Sequence, residues 1–247
     1  DIAVQVWERN DVRIQAEHDR DDRIVTELKS GVLRLGVRTR QGEPAEVEWT
    51  LTVPAWLPLD LSAMESEIAV TGMRSSVRAQ SVRGDVIVSA CQGPLEANSV
   101  EGEVHVSDVN GNVSAGSVNS VIRLVRVTGP IVVQTINGDI QMEMLASPSV
   151  DASTVNGRVY YASPFQSHGR YVFSSHSGKV YVGMPSDQRV NVKVSSFNGQ
   201  VESSMPGPMS APILFSRTSV LNGNVRWAAV SSLYVSKVSP FAVRLPL

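Results

Sequence analysis

A glycine, or a small residue in its place, returns every nine residues between positions 84 and 138. Gly84, Gly102 and Gly138 fall on one 18-residue grid, with Ser120 at the missing node; Gly93, Gly111 and Gly129 fall on a second grid offset by nine. Self-similarity at a fixed short period limits a chain to architectures in which each repeat packs on its neighbours. Nine residues accommodate one short strand and one corner. Eighteen therefore make a full turn of a flattened β-solenoid, with glycine expected to supply the positive φ of each corner.

The first grid continues with longer steps through Gly157, Gly178, Gly199 and Gly223. The local word survives: Ser-Val-Arg-Gly-Asp-Val at 81–86, Thr-Ile-Asn-Gly-Asp-Ile at 135–140, Thr-Val-Asn-Gly-Arg-Val at 154–159, and later copies at 175–180, 196–201 and 220–225. The added residues are expected at the opposite corner, where Ser147-Pro148 and Ser163-Pro164 give turn signals. Stacked turns align residues into columns. Val86, Val104, Ile122, Ile140, Val159 and Val180 form an inward column, and Val88, Val106, Leu124, Met142, Tyr161 and Val182 a second, by the two-residue period of a strand. Asn119, Asn137 and Asn156 precede the corner and can form an amide ladder. Ile87, His105, Arg123, Gln141, Tyr160 and Tyr181 face outward.

Composition agrees. The chain has 40 Val and 32 Ser but only 5 Phe. β-Branched valine favours strands, and serine disfavours helix interiors. Residues 55–67 are the best helical candidate, and Pro58 interrupts them. A single cysteine excludes a disulfide framework, and a net charge of −2 argues against a general nucleic-acid binder. No apolar run reaches membrane-spanning length. Charge is distributed unevenly: residues 1–150 carry 21 acidic and 13 basic side chains, residues 151–247 carry 3 and 9. An elongated molecule with this order is electrically polar from end to end.

Residues 1–61 do not follow the repeat and alternate as ordinary strands, as in Val47-Trp49-Leu51-Val53. They are expected to form an antiparallel β cap on the solenoid of residues 62–230. Residues 231–247 read as a closing strand or a docking tail, since Phe241, Val243, Leu245 and Leu247 alternate with Ala242, Arg244 and Pro246. The chain starts at Asp1 rather than Met, as a secreted protein would after signal removal and as a trimmed chain equally would.

The Ser/Thr-Val-x-Gly-x-Val word and the Val53-Pro54-Ala55-Trp56-Leu57-Pro58-Leu59-Asp60-Leu61 entry resemble the bacterial "putative adhesin" domain family, over roughly residues 50–230. The resemblance implies a β-solenoid that is exported or faces the cell envelope. It brings no catalytic residues.

The chemistry-bearing residues form no familiar constellation. Asp85, Glu103 and Asp139 share an outward column that passes into Arg158 and Lys179. Acidic and basic groups on one exposed face are what a polysaccharide-active enzyme would need, but here they alternate along the axis as a repulsion-relieving ladder would. His168 and His176 flank an apolar strand and could approach each other, without further ligands for a metal. The stacked Asp-rich turns of a calcium site and the Gly-x-Ser-x-Gly elbow are both missing. No cofactor is implied. The expectation is therefore a non-catalytic envelope or periplasmic scaffold that docks protein partners, such as those of a membrane-bound complex, through Tyr160, Tyr181, Phe241, Val243, Leu245 and Leu247. A surface adhesin that binds glycan is the alternative.

Overall fold

A computed structural model describes residues 1–18, 23–29, 32–38, 47–185, 189–195, 217–222 and 232–236. The chain opens with β1 (Ile2–Trp7), β2 (Arg13–His18), β3 (Arg23–Lys29), β4 (Val32–Arg38) and β5 (Val47–Pro54). Short strands then follow at nine-residue intervals: β6 (Leu59–Ala63), β7 (Ile68–Thr71), β8 (Val77–Ser81), β9 (Val86–Ser89), β10 (Leu95–Ser99), β11 (Val104–Ser107), β12 (Val113–Ser117), β13 (Ile122–Val125), β14 (Ile131–Thr135) and β15 (Ile140–Glu143). The series ends with β16 (Ser149–Thr154), β17 (Arg158–Ala162), β18 (Arg170–Ser175) and β19 (Lys179–Gly183), followed by β20 (Arg189–Ser195), β21 (Arg217–Asn222) and β22 (Ser232–Ser236).

The even members β6 to β18 stack in parallel as one sheet and the odd members β7 to β19 as another, giving about seven turns of β-solenoid. Register follows the glycine period, since Leu95 pairs with Val113 and Val104 with Ile122. Four consecutive turns close through a third short side, where Gln92, Asn110, Thr128 and Ala146 form isolated parallel bridges. Longer turns also begin where the turn signals lie. Thr128 pairs with Ala146 at a step of 18, but Ile131 pairs with Val150 at 19 and Val150 with Tyr171 at 21. Both inward columns are fully buried from Val86 to Val180 and from Val88 to Tyr161.

The corners correct one expectation. Positive φ belongs to Gly93 and Gly129, but not to Gly84, Gly102, Gly138, Gly157 or Gly178. Those glycines are required by close approach instead. A Cβ on Gly102 would overlap the carbonyl oxygen of Gly84 one turn earlier, and a Cβ on Gly138 that of Ser120. The left-handed corner residues are Gly72, Ala90, Asp108, Arg126 and Met144, spaced by 18, and only the first of them is glycine.

In the N-terminal segment β2 runs antiparallel to β5, and β3 and β4 form a separate antiparallel hairpin. β1 instead inserts between β5 and β7, parallel to both, so the odd-numbered sheet extends into the cap. The boundary expected at residue 61 falls inside β6, already a solenoid strand. At the other end the copy at 220–225 is not a further parallel turn over its described part: β21 pairs antiparallel with β20, and β22 inserts antiparallel between β18 and β20. Valine alternation suits either strand direction, so the period alone did not reveal the reversal. The copy at 196–201 lies outside the described residues.

Candidate functional site

One extended concavity follows from the corner word. Where the even strands from β8 to β18 end, Ser or Thr turns inward and the next residue turns out. The buried hydroxyls bind the stacked corners: Ser99 Oγ donates to the Gly84 carbonyl (2.9 Å), Thr154 Oγ1 to Gly138 (3.0 Å) and Ser175 Oγ to Gly157 (2.9 Å). The outward neighbours Met64, Val82, Val100, Val118, Ile136 and Val155 form an apolar ledge. Ser62, Gln80, Asn98, Gly116, Gln134 and Ser153 run beside it on the outer face of the even-numbered sheet. The trough between ledge and column has a volume of about 900 Å³, and none of its lining residues is charged. A second trough of about 730 Å³ follows the other edge of this face and does carry charge, from Asp60, Arg78 and Glu96.

The ionisable groups form ladders between successive turns. Arg123 reaches Glu103 at 3.2 Å, Arg78 reaches Glu96 at 2.9 Å, and Arg83 pairs with Glu65. Arg126 chelates Asp108 at 2.5 and 2.7 Å, and Arg158 holds Asp139 through its guanidinium at 2.6 and 3.0 Å and its backbone N–H at 2.8 Å. The hydrogen bonds from Arg126 hold Asp108 below the ordinary carboxylate value. Burial pushes Asp139 upward, yet the bonds and charge of Arg158 together outweigh it and the net shift is downward. Asp85 accepts the Glu103 N–H at 2.8 Å, and Asn137 and Asn156 each donate an amide to the asparagine one turn earlier, at 2.9 and 2.8 Å. Each of these groups fixes the stacking of turns.

The remaining candidates stay apart. His105 lies half-buried on β11 between Ile87 and Arg123. His168 and His176 flank opposite ends of β18 and do not converge. Among the described residues no three His, Cys, Asp or Glu side chains cluster as a metal site would require. Cys91 is buried, and desolvation raises its thiol pKa.

Tyr160 and Tyr181 are register partners on β17 and β19, and Tyr160 is 42 % exposed. Phe241, Val243, Leu245 and Leu247 lie outside the described residues. The reading of the sequence missed the apolar ledge, although its signal is present as the second letter of the corner words from Ser81 to Thr154, an apolar residue between a buried hydroxyl and a polar turn. No family model, curated protein or solved structure matches the chain. The likeness to the adhesin-labelled family therefore rests on the corner word and the segment at 53–61 alone.

Proposed function

We propose that this chain is a non-catalytic structural subunit, a stiff β-solenoid strut of the bacterial envelope, periplasmic or extracellular, that docks other proteins and serves a membrane-bound assembly. The observation that carries this reading is the ladder of ion pairs and amides. Five arginine–carboxylate pairs and the asparagine ladder link successive turns and hold columns at fixed spacing, and a surface of fixed columns suits recognition of a large partner. The envelope placement rests on the resemblance of the corner word. Tyr160 and Tyr181 are the first contact candidates, because adjacent phenol rings give apolar area with a polar tip at low entropic cost. The tail from Phe241 to Leu247 is the second.

The test is purification of the tagged chain from native membranes at mild ionic strength, beside a Tyr160→Ala/Tyr181→Ala variant and a chain ending at Ser236. The parent is expected to bring down a discrete protein set that at least one variant loses. An identical set with both variants removes these contacts. Binding to a carbohydrate array with no protein partner transfers the role to adhesion, the second reading that exposed Tyr160 beside half-buried Tyr181 favours.

A further inference from the structure

The exposed large apolar side chains are not scattered. Among the described residues, five of thirteen stand on one line: Met64 (75 % exposed), Val82 (42 %), Val100 (37 %), Ile136 (46 %) and Val155 (42 %), with half-buried Val118 completing it. At a strand spacing of ~4.8 Å this ledge runs about 24 Å along the solenoid axis. Contiguous apolar surface of this kind marks an interaction site.

We propose that the ledge and its trough form a self-association surface, on which a second copy of this chain packs with its axis reversed. Two observations identify the occupant. The first is the neutrality of the lining. In a two-fold contact each surface meets itself, so a charge near the axis faces its own copy and repels it. The uncharged trough avoids this, whereas the neighbouring trough with Asp60, Arg78 and Glu96 does not. The second is polarity along the axis. Residues 59–119 carry eight acidic and three basic side chains, a net −5, while residues 120–185 carry three acidic and five basic, a net +2. Reversed packing lays each acidic half beside the basic half of the other copy; parallel packing would set acidic against acidic. The ledge permits the reversal because its members are spaced by 18 residues, with one final step of 19. Turned about its midpoint it falls on itself, so that Val100 meets Val118 of the second copy and Val82 meets Ile136.

The inference does not depend on the docking role. Tyr160 and Tyr181 belong to the odd-numbered sheet and the trough to the even-numbered one, so either surface can fail alone.

Sedimentation equilibrium of the full chain tests the association. A concentration-dependent dimer is expected, weakened at least about tenfold by Val100→Glu, which places charge against charge near the axis. Met144→Glu, at a residue 56 % exposed but off the ledge, should leave it unchanged. Orientation is read by cross-linking. Val100→Cys and Val118→Cys chains, mixed and oxidised, are expected to form mainly the mixed disulfide, with little background from buried Cys91. A parent that stays monomeric up to its solubility limit overturns the proposal. Self-linked Val100→Cys chains in preference to the mixed pair overturn the reversed orientation.

Discussion

Gly102→Ala separates the two explanations for the corner glycines. If the position required only an unusual φ, alanine would be tolerated, since φ at Gly102 is not positive. Close approach gives a different outcome. The added Cβ would overlap the Gly84 carbonyl oxygen and stand 2.8 Å from Asp85 N, both of them backbone atoms of the previous turn. Relief to the ~3.3 Å of an ordinary C···O approach moves the corner by about an ångström. Three hydrogen bonds span that gap: Glu101 N–H to the Val82 carbonyl at 2.9 Å, Ser99 Oγ to the Gly84 carbonyl at 2.9 Å, and Glu103 N–H to Asp85 Oδ1 at 2.8 Å. An ångström breaks all three. At about 1 kcal/mol each, less the ~0.4–1 kcal/mol that alanine contributes by restricting the unfolded chain, the expected loss is roughly 2–3 kcal/mol. That is a sizeable part of the ~5–15 kcal/mol typical of a domain. Gly36→Ala on β4 is the control, because a Cβ there meets nothing within 4 Å and its effect should stay within about 1 kcal/mol. Urea unfolding followed by far-UV circular dichroism measures both. Equal midpoints for Gly102→Ala and Gly36→Ala would refute the close-approach argument.

Thr135 Oγ1 is buried and has no hydrogen-bond partner, unlike Ser99 Oγ, which donates to Gly84 and accepts from Gly102 N–H. Thr135→Val should therefore change the unfolding midpoint little, while Ser99→Ala should cost about 1–3 kcal/mol. Tyr171→Phe removes a phenol that donates to the Ser147 carbonyl at 2.6 Å and accepts from Gln166 N–H at 2.8 Å, and should lower stability by a similar ~1–3 kcal/mol in the same assay. Asp108 and Asp139 are held below the ordinary value of 3.8 in the folded chain, so their contribution is full at neutral pH, above the unfolded value, and is lost as pH falls through the folded values. Asp139→Asn should thus destabilise near neutrality and be almost silent well below pH 3.8; equal effects at both pH values would contradict the assignment.

Those features that the repeat encodes directly were legible in the sequence. Inward valines, the asparagine ladder and the corner positions each recur at one spacing, and stacking turns any recurrent residue into a column. What stayed hidden has no recurrent letter. The left-handed corner is filled by Gly72, Ala90, Asp108, Arg126 and Met144, five chemically unrelated residues, because the surrounding ladder imposes the conformation. The parallel insertion of β1 was illegible for another reason: alternation in Ile2-Val4-Val6 states which face is buried, not which neighbour is paired or in which direction. The ledge was visible as letters but looked like ordinary strand valine, since its outward orientation depends on the corner geometry rather than on strand alternation.

The lengthening of the later turns and the end of the ledge have one cause. Along the second inward column the side chains grow, from Val88 and Val106 to Leu124, Met142 and Tyr161, all fully buried. On the facing strands Ala79, Ala97 and Ala115 give way to Val133 and then, after Ala152, to Phe173. A turn of 21 residues encloses more cross-section than one of 18, and close packing requires that the space be filled. Tyr161, Phe165, Tyr171 and Phe173 fill it, with ring centroids 4.6–5.9 Å apart. Their phenols also satisfy the enlarged corners, Tyr161 at the Pro164 carbonyl and Tyr171 at Ser147. The ledge position in the first wide turn is occupied by His176 instead of an aliphatic residue. The ledge thus spans only the turns of near-constant length, where equal spacing lets a reversed copy keep step. Beyond them the solenoid widens, and β22 pairs with β18 from the opposite direction.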